Sequence, residues 1–207
     1  MQVAISARKD GELQDAARRL GAGNVLAIRA DVRDAADAQR LVDETVRRFG
    51  GVDVLVNNAG IGRFANVADM SFDDWRQIVD TNLSGVFYCS RAAIPVMKAR
   101  GAGFIVNISS LAAKNPFAGG AAYCASKAGL NAFSEALMQE VRHDNIRVSY
   151  VLPGSVSTGF GDRGSSGEAE WKLTPEDVAR VVVDLIAHDA RSLPSRVELR
   201  PSRPRKS

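Results

Sequence analysis

The chain has 207 residues, of which 45% are hydrophobic and 25% charged, as is typical of one globular domain with a sizeable core. Its longest apolar runs are too short to span a bilayer, and its two cysteines are too few for a disulfide framework. These bounds exclude a membrane-spanning or disulfide-rich protein and favour a reduced, cytoplasmic location.

The net charge is +3, and much of the excess lies in a basic tail at residues 201–207. Such a tail can contact nucleic acid or an anionic surface, but a solvated terminus is the simpler interpretation. We therefore expect neither a nucleic-acid partner nor a membrane partner.

Predicted strands and helices alternate along the chain, because short apolar runs are separated by segments with helical periodicity. Several strands are apolar on both faces, which is typical of a parallel sheet covered by helices on both sides. We predict a single domain over residues 1–207 with a Rossmann-like, doubly wound α/β fold. Ser71 and Thr174 are predicted helix caps. The predicted strands are 3–5, 25–30, 52–56, 104–108, 146–152 and 196–199, and the predicted helices are 12–20, 34–49, 71–98, 121–143 and 174–188.

Polar and small residues collect where the predicted strands end. Arg8, Asp31 and Ser110 each follow a strand, as do the runs 57–60 and 153–154. Ligands of open parallel sheets bind at the carboxyl ends of the strands. The sequence therefore predicts a binding site along this edge of the sheet.

Tyr123 and Lys127 are one turn apart on a predicted helix, which places phenol and ammonium on the same face. A phenol has a pKa near ~10, and a nearby cation lowers that pKa by favouring the phenolate. Ser110 can hold a substrate oxygen beside the phenol, so the arrangement predicts proton transfer to or from an alcohol or carbonyl oxygen. Since ordinary amphipathic helices also carry Tyr and Lys one turn apart, the interpretation depends on the rest of the chain.

Glycine and serine are frequent between residues 159 and 173, which predicts a mobile substrate loop. Residues 159–164 match G-x-G-x-x-G, but they end about ten residues before the helix start at Thr174. A dinucleotide-binding fingerprint opens its helix directly, so we do not interpret this match as a phosphate-binding turn. The histidines and cysteines form no metal-binding pattern, and we predict no metal site.

Several residues share an order and spacing: the run 57–60, Asn82, Ser110, Tyr123, Lys127, Pro153, Gly154 and Thr158. In this order and spacing the chain resembles the short-chain dehydrogenase/reductase family, over a span from residue 2 to about residue 200. Within the family, the chain is most similar to 3-oxoacyl-thioester reductases.

The resemblance implies four catalytic residues. Tyr123 is the implied general acid/base, and Lys127 the cation that lowers its pKa and binds the nicotinamide ribose. Ser110 is implied to hold the substrate oxygen, while Ser109 is expected to face away because side chains alternate along a strand. Asn82 is implied to keep its helix locally irregular and to hold a water in a proton relay. Hydride would pass between the nicotinamide and the carbon that bears the oxygen.

The resemblance also implies a dinucleotide site. NAD-dependent members usually place a carboxylate at the end of the first strand seen here, where this chain has Ser6, Ala7, Arg8 and Lys9. Arg8 can instead pair with a 2′-phosphate, so we expect NADP rather than NAD. The implied cofactor-binding residues are Arg8, Asp31, Val32, Asn58, Ala59, Gly60, Tyr123, Lys127, Pro153, Gly154 and Thr158.

One family feature has no counterpart in the sequence. Members begin with a strand, a glycine-rich turn and a helix that precede the strand found here at Val3, and that turn binds the pyrophosphate. The missing strand normally lies between the strands at Val3 and Val52, so we expect a gap in the sheet. An N-terminal truncation or an internal Met taken as the start would explain this departure, and so would a catalytically silent family member.

These observations predict an oxidoreductase that transfers a hydride between NADP(H) and a carbonyl or secondary alcohol. A 3-oxoacyl thioester is one candidate substrate, and small ketones, sugars and steroid-like alcohols remain open. The resemblance implies a homodimer or homotetramer packed through the helices at 83–98 and 121–143. The alternative is a silent member or fragment that acts through protein contacts alone.

Overall fold

Strands and helices alternate through the computed structural model, which describes residues 1–21, 23–158, 160 and 170–203. This confirms the predicted Rossmann-like α/β fold, with element ends within a few residues of those expected. The strands are β1 (Val3–Ala7), β2 (Val25–Arg29), β3 (Val54–Asn57), β4 (Gly103–Ile108), β5 (Ile146–Pro153) and β6 (Arg196–Leu199). The helices are α1 (Asp10–Leu20), α2 (Ala35–Phe49), α3 (Phe72–Val79), α4 (Gly85–Arg100), α5 (Ala121–Val141) and α6 (Pro175–Ala187).

The strands form two parallel sheets, one of β1 and β2 and one in the order β3-β4-β5-β6. Within the described ranges, β1 pairs with β2 alone and β3 pairs with β4 alone, so the predicted gap between β1 and β3 is present. Val56 on β3 is 39% exposed, although strands of covered parallel sheets are normally buried on both faces. The gap therefore leaves apolar strand surface accessible beside the predicted site.

The core lies on both faces of the larger sheet, because successive side chains of β4 point in opposite directions. Ile105 packs with Val42, Met97 and other residues of α2, α4 and α5. Its neighbours Phe104 and Val106 pack instead with Leu185 of α6. Burying one such side chain contributes about 1.5–3 kcal/mol, so these two layers hold β4 and β5 firmly beneath the site.

Three helices begin at side-chain caps that the local sequence supplies. Asp34 accepts hydrogen bonds from the first turn of α2, and the Ser71 hydroxyl accepts one from the Asp74 amide at 3.0 Å. Thr174 and Asp177 form a reciprocal capping box at the start of α6. These contacts confirm the predicted caps at Ser71 and Thr174 and fix where each chain segment turns into its helix.

A π-helical turn at Asp80–Ser84 joins α3 to α4 and carries Asn82. The next residue is Gly85, where an added Cβ would lie 2.9 Å from a methyl carbon of Val32. Glycine therefore allows α4 to approach the loop after β2 closely. The widened turn beside it brings Asn82 towards the carboxyl end of β3.

Parts of two predicted segments lie outside the described residues. The substrate loop is described only at Phe160 and from residue 170 onwards, and the basic tail only through residue 203. The G-x-G-x-x-G match also falls there, except for Phe160, so these interpretations stay predictions. None of the described helices is both long enough and apolar enough to cross a membrane.

Candidate active site

A large cavity of about 1980 Å³ opens over the carboxyl ends of the strands. It exceeds the ~300–1,000 Å³ of ordinary ligand pockets, because it joins the groove over the strand ends to the space between the two sheets. Every predicted catalytic and cofactor residue lines this cavity except Asn82, which lies directly behind its wall. The agreement follows from topology, since parallel strands bring their ends to one edge.

Tyr123 lies in the first turn of α5, with its phenol beside the hydroxyl of Ser110. Ser110 follows β4 in extended conformation, and its oxygen also accepts a 3.1 Å hydrogen bond from the amide of Ala112. The Ser109 hydroxyl donates instead to the Asn131 side chain at 2.5 Å, away from Tyr123. The alternation expected along the strand therefore selects Ser110, and not Ser109, as the partner of the phenol.

Lys127 is 4% exposed and donates a 2.8 Å hydrogen bond from Nζ to the carbonyl oxygen of Ile108. Burial lowers the pKa of its ammonium to about 8. A Cβ added at Gly60 would lie 3.6 Å from this Nζ, so the loop after β3 lies beside the lysine. The ammonium thus connects the ends of two neighbouring strands at the floor of the cavity.

The sequence predicted that Lys127 lowers the pKa of the Tyr123 phenol, but in the structure this pKa is raised. Burial raises the pKa of Tyr123, and the hydrogen bond from Ser110 opposes that rise. The reason is geometric, because the Lys127 ammonium points at the Ile108 carbonyl rather than at the phenol oxygen. In this structure Tyr123 therefore holds its proton at neutral pH.

Asn82 is fully buried and joins three segments through its amide. Its Oδ1 accepts from the Ile61 amide at 2.8 Å, while Nδ2 donates to the Ile61 carbonyl at 2.9 Å and to the Ser126 hydroxyl at 3.0 Å. Ser126 in turn donates to the Tyr123 carbonyl at 2.8 Å. Asn82 therefore ties the loop after β3 to the first two turns of α5, where Tyr123 and Lys127 lie.

At the far end of the cavity, Arg8 follows β1 and Asp31 follows β2. Asp31 receives hydrogen bonds from Arg33 Nε at 3.0 Å to both carboxylate oxygens, and this contact lowers the pKa of Asp31. Arg8 adds a weaker lowering through its charge, so it lies near the carboxylate without being paired to it. Val32 lines the wall between this end and α4.

The residues of the run 57–60 have two different roles, which the sequence alone did not distinguish. One residue holds two strands together, and the other three line the cavity. Asn57 is buried, and its amide donates to Asn107 at 2.8 Å and to Ser90 at 3.3 Å, so it holds β3 to β4. Asn58, Ala59 and Gly60 line the cavity instead.

Across the cavity, the residues after β5 form another part of the wall. Gly154 approaches Leu199 closely, with a 2.8 Å hydrogen bond from its amide to the Leu199 carbonyl. Pro153, Gly154 and Thr158 all line the cavity.

Several cavity residues had not been selected from the sequence. Ser6 and Thr81 have buried hydroxyl oxygens without a hydrogen-bond partner among the described residues, and both line the cavity. The rings of Phe64 and Phe160 contact that of Tyr123, and the ring of Phe117 contacts that of Phe64. A lone Ser, Thr or Phe carries no sequence pattern for such a position, so only the chain's path brings them together.

The two orphaned hydroxyls fit a polar ligand that spans the cavity, because buried polar groups are otherwise paired. A dinucleotide offers ribose and phosphate oxygens over such a length. Between the two ends lies the gap, where Arg8 and Lys9 connect β1 to α1 without a glycine. The described residues therefore fit the two ends of a dinucleotide better than its middle.

No group of three or more metal-ligating side chains occurs in the described part of the chain. Both cysteines are buried, and burial raises the pKa of the Cys89 thiol to about 11. A thiol with such a pKa is unreactive at neutral pH. The chemistry of the site therefore centres on the phenol, the ammonium and the hydroxyls.

Comparison with known proteins agrees with this geometry. The model of the short chain dehydrogenase family matches residues 1–169, and the chain belongs to this family of oxidoreductases. It is 32% identical over 201 residues to a sepiapterin reductase of Chlorobaculum tepidum, covering 97% of this chain and 78% of the relative.

Two further proteins extend the comparison. A 3-oxoacyl-acyl-carrier-protein reductase of Chlamydia pneumoniae is 38% identical over 173 residues, covering 79% of this chain and 69% of the relative. The structure of an alcohol dehydrogenase from Thermococcus sibiricus, complexed with 5-hydroxy-NADP, superposes with a TM-score of 0.90 at 26% identity. That superposition covers 100% of this chain and 88% of the other. The family resemblance stated from the sequence is thereby confirmed.

Proposed function

We propose that this chain transfers a hydride between NADP(H) and a ketone or secondary alcohol. The observation that carries the proposal is the neighbouring pair of Tyr123 and Ser110, with Lys127 buried one turn along α5 in the same cavity. Two hydroxyls side by side can hold one substrate oxygen, and the phenol can pass its proton to that oxygen.

In the direction of reduction, Tyr123 donates its proton to the substrate oxygen while Ser110 holds that oxygen. The raised pKa of Tyr123 suits this step, because the phenol is protonated at neutral pH before the reaction. When bound, NADPH supplies the hydride to the carbonyl carbon. Lys127 would bind the nicotinamide ribose, and Asn82 keeps the first turn of α5 in position through Ser126.

The cofactor residues follow from their places along the cavity. Arg8 would bind the 2′-phosphate as a guanidinium, and Asp31 and Val32 would contact the adenine. Asn58, Ala59 and Gly60 would lie along the middle, and Pro153, Gly154 and Thr158 beside the nicotinamide. The choice of NADP over NAD is supported by Arg8 and by the 5-hydroxy-NADP held by the alcohol dehydrogenase.

Titration of the purified chain with NADPH, followed by fluorescence, tests the proposal directly. Saturable binding and oxidation of NADPH in the presence of a ketone are the expected results. Absence of both would overturn the proposal and favour the alternative of a silent family member that acts through protein contacts alone.

The proposal extends to the substrate class, the oligomeric state and the cellular location of the protein. A 3-oxoacyl thioester is supported by the likeness to the reductase of Chlamydia pneumoniae. A homodimer or homotetramer through α4 and α5 is supported by Phe87, which is 46% exposed on α4. A cytoplasmic location is supported by the two cysteines, which form no disulfide.

A further inference from the structure

Aromatic rings surround the phenol of Tyr123. The ring of Phe64 lies 5.7 Å from it at an interplanar angle of 75°, and the ring of Phe160 lies 5.6 Å from it at 60°. Phe117 extends the group, with its ring 5.7 Å from that of Phe64. We refer to Phe64, Phe117 and Phe160 as the aromatic wall, and all three line the cavity.

Two glycines make room for the aromatic wall. A Cβ added at Gly62 would lie 2.5 Å from a ring carbon of Phe160 and 3.0 Å from one of Phe64. A Cβ added at Gly120 would lie 2.6 Å from the Phe117 ring. Any larger residue at either position would displace a ring, so the local sequence is matched to this arrangement.

The aromatic wall presents apolar surface to the cavity rather than to a closed core. Phe117 and Phe160 are each 42% exposed, which is high for rings this close to other rings. Burying such surface under a ligand is favourable in proportion to the area covered. A substrate whose oxygen meets Tyr123 and Ser110 must direct a substituent away from them, and the wall lies beside the same phenol.

The geometry of the rings favours a planar substituent. Aromatic pairs prefer tilted or edge contacts with centroids ~4.5–7 Å apart, and the wall already has this spacing. One more ring at the open side would extend the same pattern. A flexible acyl chain could cover the rings but would add no ring-to-ring contact, and it would lose more rotamer freedom on binding.

We propose that the substrate is an aryl ketone, or the corresponding aryl carbinol, whose ring packs on Phe64, Phe117 and Phe160. This inference rests on the proposed function, because it uses Tyr123 and Ser110 to hold the oxygen. It selects a substrate class among those left open and places the aryl ketone ahead of the 3-oxoacyl thioester.

The test compares acetophenone with cyclohexyl methyl ketone, which has a similar size but no aromatic ring. Dissociation constants for the full chain are measured by NMR titration, with and without NADPH, and rates by oxidation of NADPH. Acetophenone is expected to bind at least about 5-fold more tightly. Phe117→Leu and Phe64→Leu should each reduce that preference by about 3- to 10-fold, the usual effect of one aromatic pair.

Phe72→Leu is the matched control, since Phe72 is 84% exposed at the start of α3 and lies outside the cavity lining. This variant should prefer acetophenone over cyclohexyl methyl ketone by the same factor as the unmodified chain. Equal binding of the two ketones, no binding of either, or an unchanged preference in both wall variants would overturn the inference. So would faster reduction of an acetoacetyl thioester than of acetophenone.

The two proposals fail in different ways. Ring-dependent binding of acetophenone without any oxidation of NADPH would leave the aromatic site standing and overturn the proposed function. Reduction of cyclohexyl methyl ketone and acetophenone at equal rates would support the proposed function and overturn the aromatic site.

Discussion

The ammonium of Lys127 donates a 2.8 Å hydrogen bond to the carbonyl oxygen of Ile108, the last residue of β4. An ammonium has three donors, and this contact holds one of them at the strand end. The charge is thereby fixed between the sheet and the second turn of α5. The side chain is buried there, and this burial lowers the pKa of its ammonium.

The lowered pKa of Lys127 predicts a rise in stability with increasing pH. Between about 8 and its ordinary value of 10.5, the folded chain has lost this proton while the unfolded chain still binds it. Stability rises wherever the unfolded state binds more protons, by about 2 kcal/mol between pH 7.5 and 9.5. Urea unfolding at several pH values measures this rise.

Lys127→Met is the control for that prediction, because it removes this titration and should flatten the rise. The raised pKa of Cys89 acts in the opposite direction above pH 9, but it affects both proteins equally. The difference between the two proteins therefore isolates the lysine. Parallel stability curves would show that the Lys127 pKa is not lowered in the folded state.

Tyr123→Phe should lower kcat by about 10²- to 10⁴-fold, the usual contribution of a positioned general acid. The fold should persist, since the ring contacts with Phe64 and Phe160 do not involve the hydroxyl. Steady-state kinetics and the melting temperature are measured together. Tyr88→Phe on α4 serves as the control, and a Tyr123→Phe rate within about 3-fold of the original would assign proton transfer to another group.

Asn82→Ala should destabilise the fold by about 2 kcal/mol or more. The change removes the partners of the Ile61 amide, the Ile61 carbonyl and the Ser126 hydroxyl, and a buried unpaired group costs about 1–3 kcal/mol. Urea unfolding checks the value, with the exposed Asn66→Ala as the control. A loss below about 0.5 kcal/mol would mean that water replaces the amide without cost.

Arg8→Ala should raise the Kd of NADPH by about 10-fold and leave that of NADH unchanged. A charge-assisted hydrogen bond to the 2′-phosphate contributes about 1.5–3 kcal/mol, and NADH lacks that phosphate. Fluorescence titration with both dinucleotides measures the difference. Arg19→Ala, an exposed change on α1, controls for net charge, and equal loss of both dinucleotides would count against phosphate recognition by Arg8.

The gap between β1 and β3 illustrates how far local sequence can predict a fold. The order of strands and helices, the caps at Ser71 and Thr174 and the position of the gap were all predictable. Each depends on short-range patterns or on the fixed topology of parallel sheets. The same topology placed Arg8, Ser110 and Tyr123 along one edge.

Other features depended on contacts between distant segments. Asn57 and Asn58 are adjacent and chemically identical, yet one is buried against Asn107 and the other lines the cavity. Likewise, only the folded chain directs Lys127 to the Ile108 carbonyl and leaves the Tyr123 pKa raised.

The sequence by itself determined the family, because its motifs are residue types at set spacings. Through the resemblance to that family it also predicted the proton-transfer residues and NADP. The tertiary structure alone decided which side chains meet across the cavity. Phe64 and Phe160 lie far from Tyr123 along the chain, and packing rather than spacing brings their rings to it. Such contacts carry no local signature, since hydrophobic attraction has no direction and is set by the whole fold.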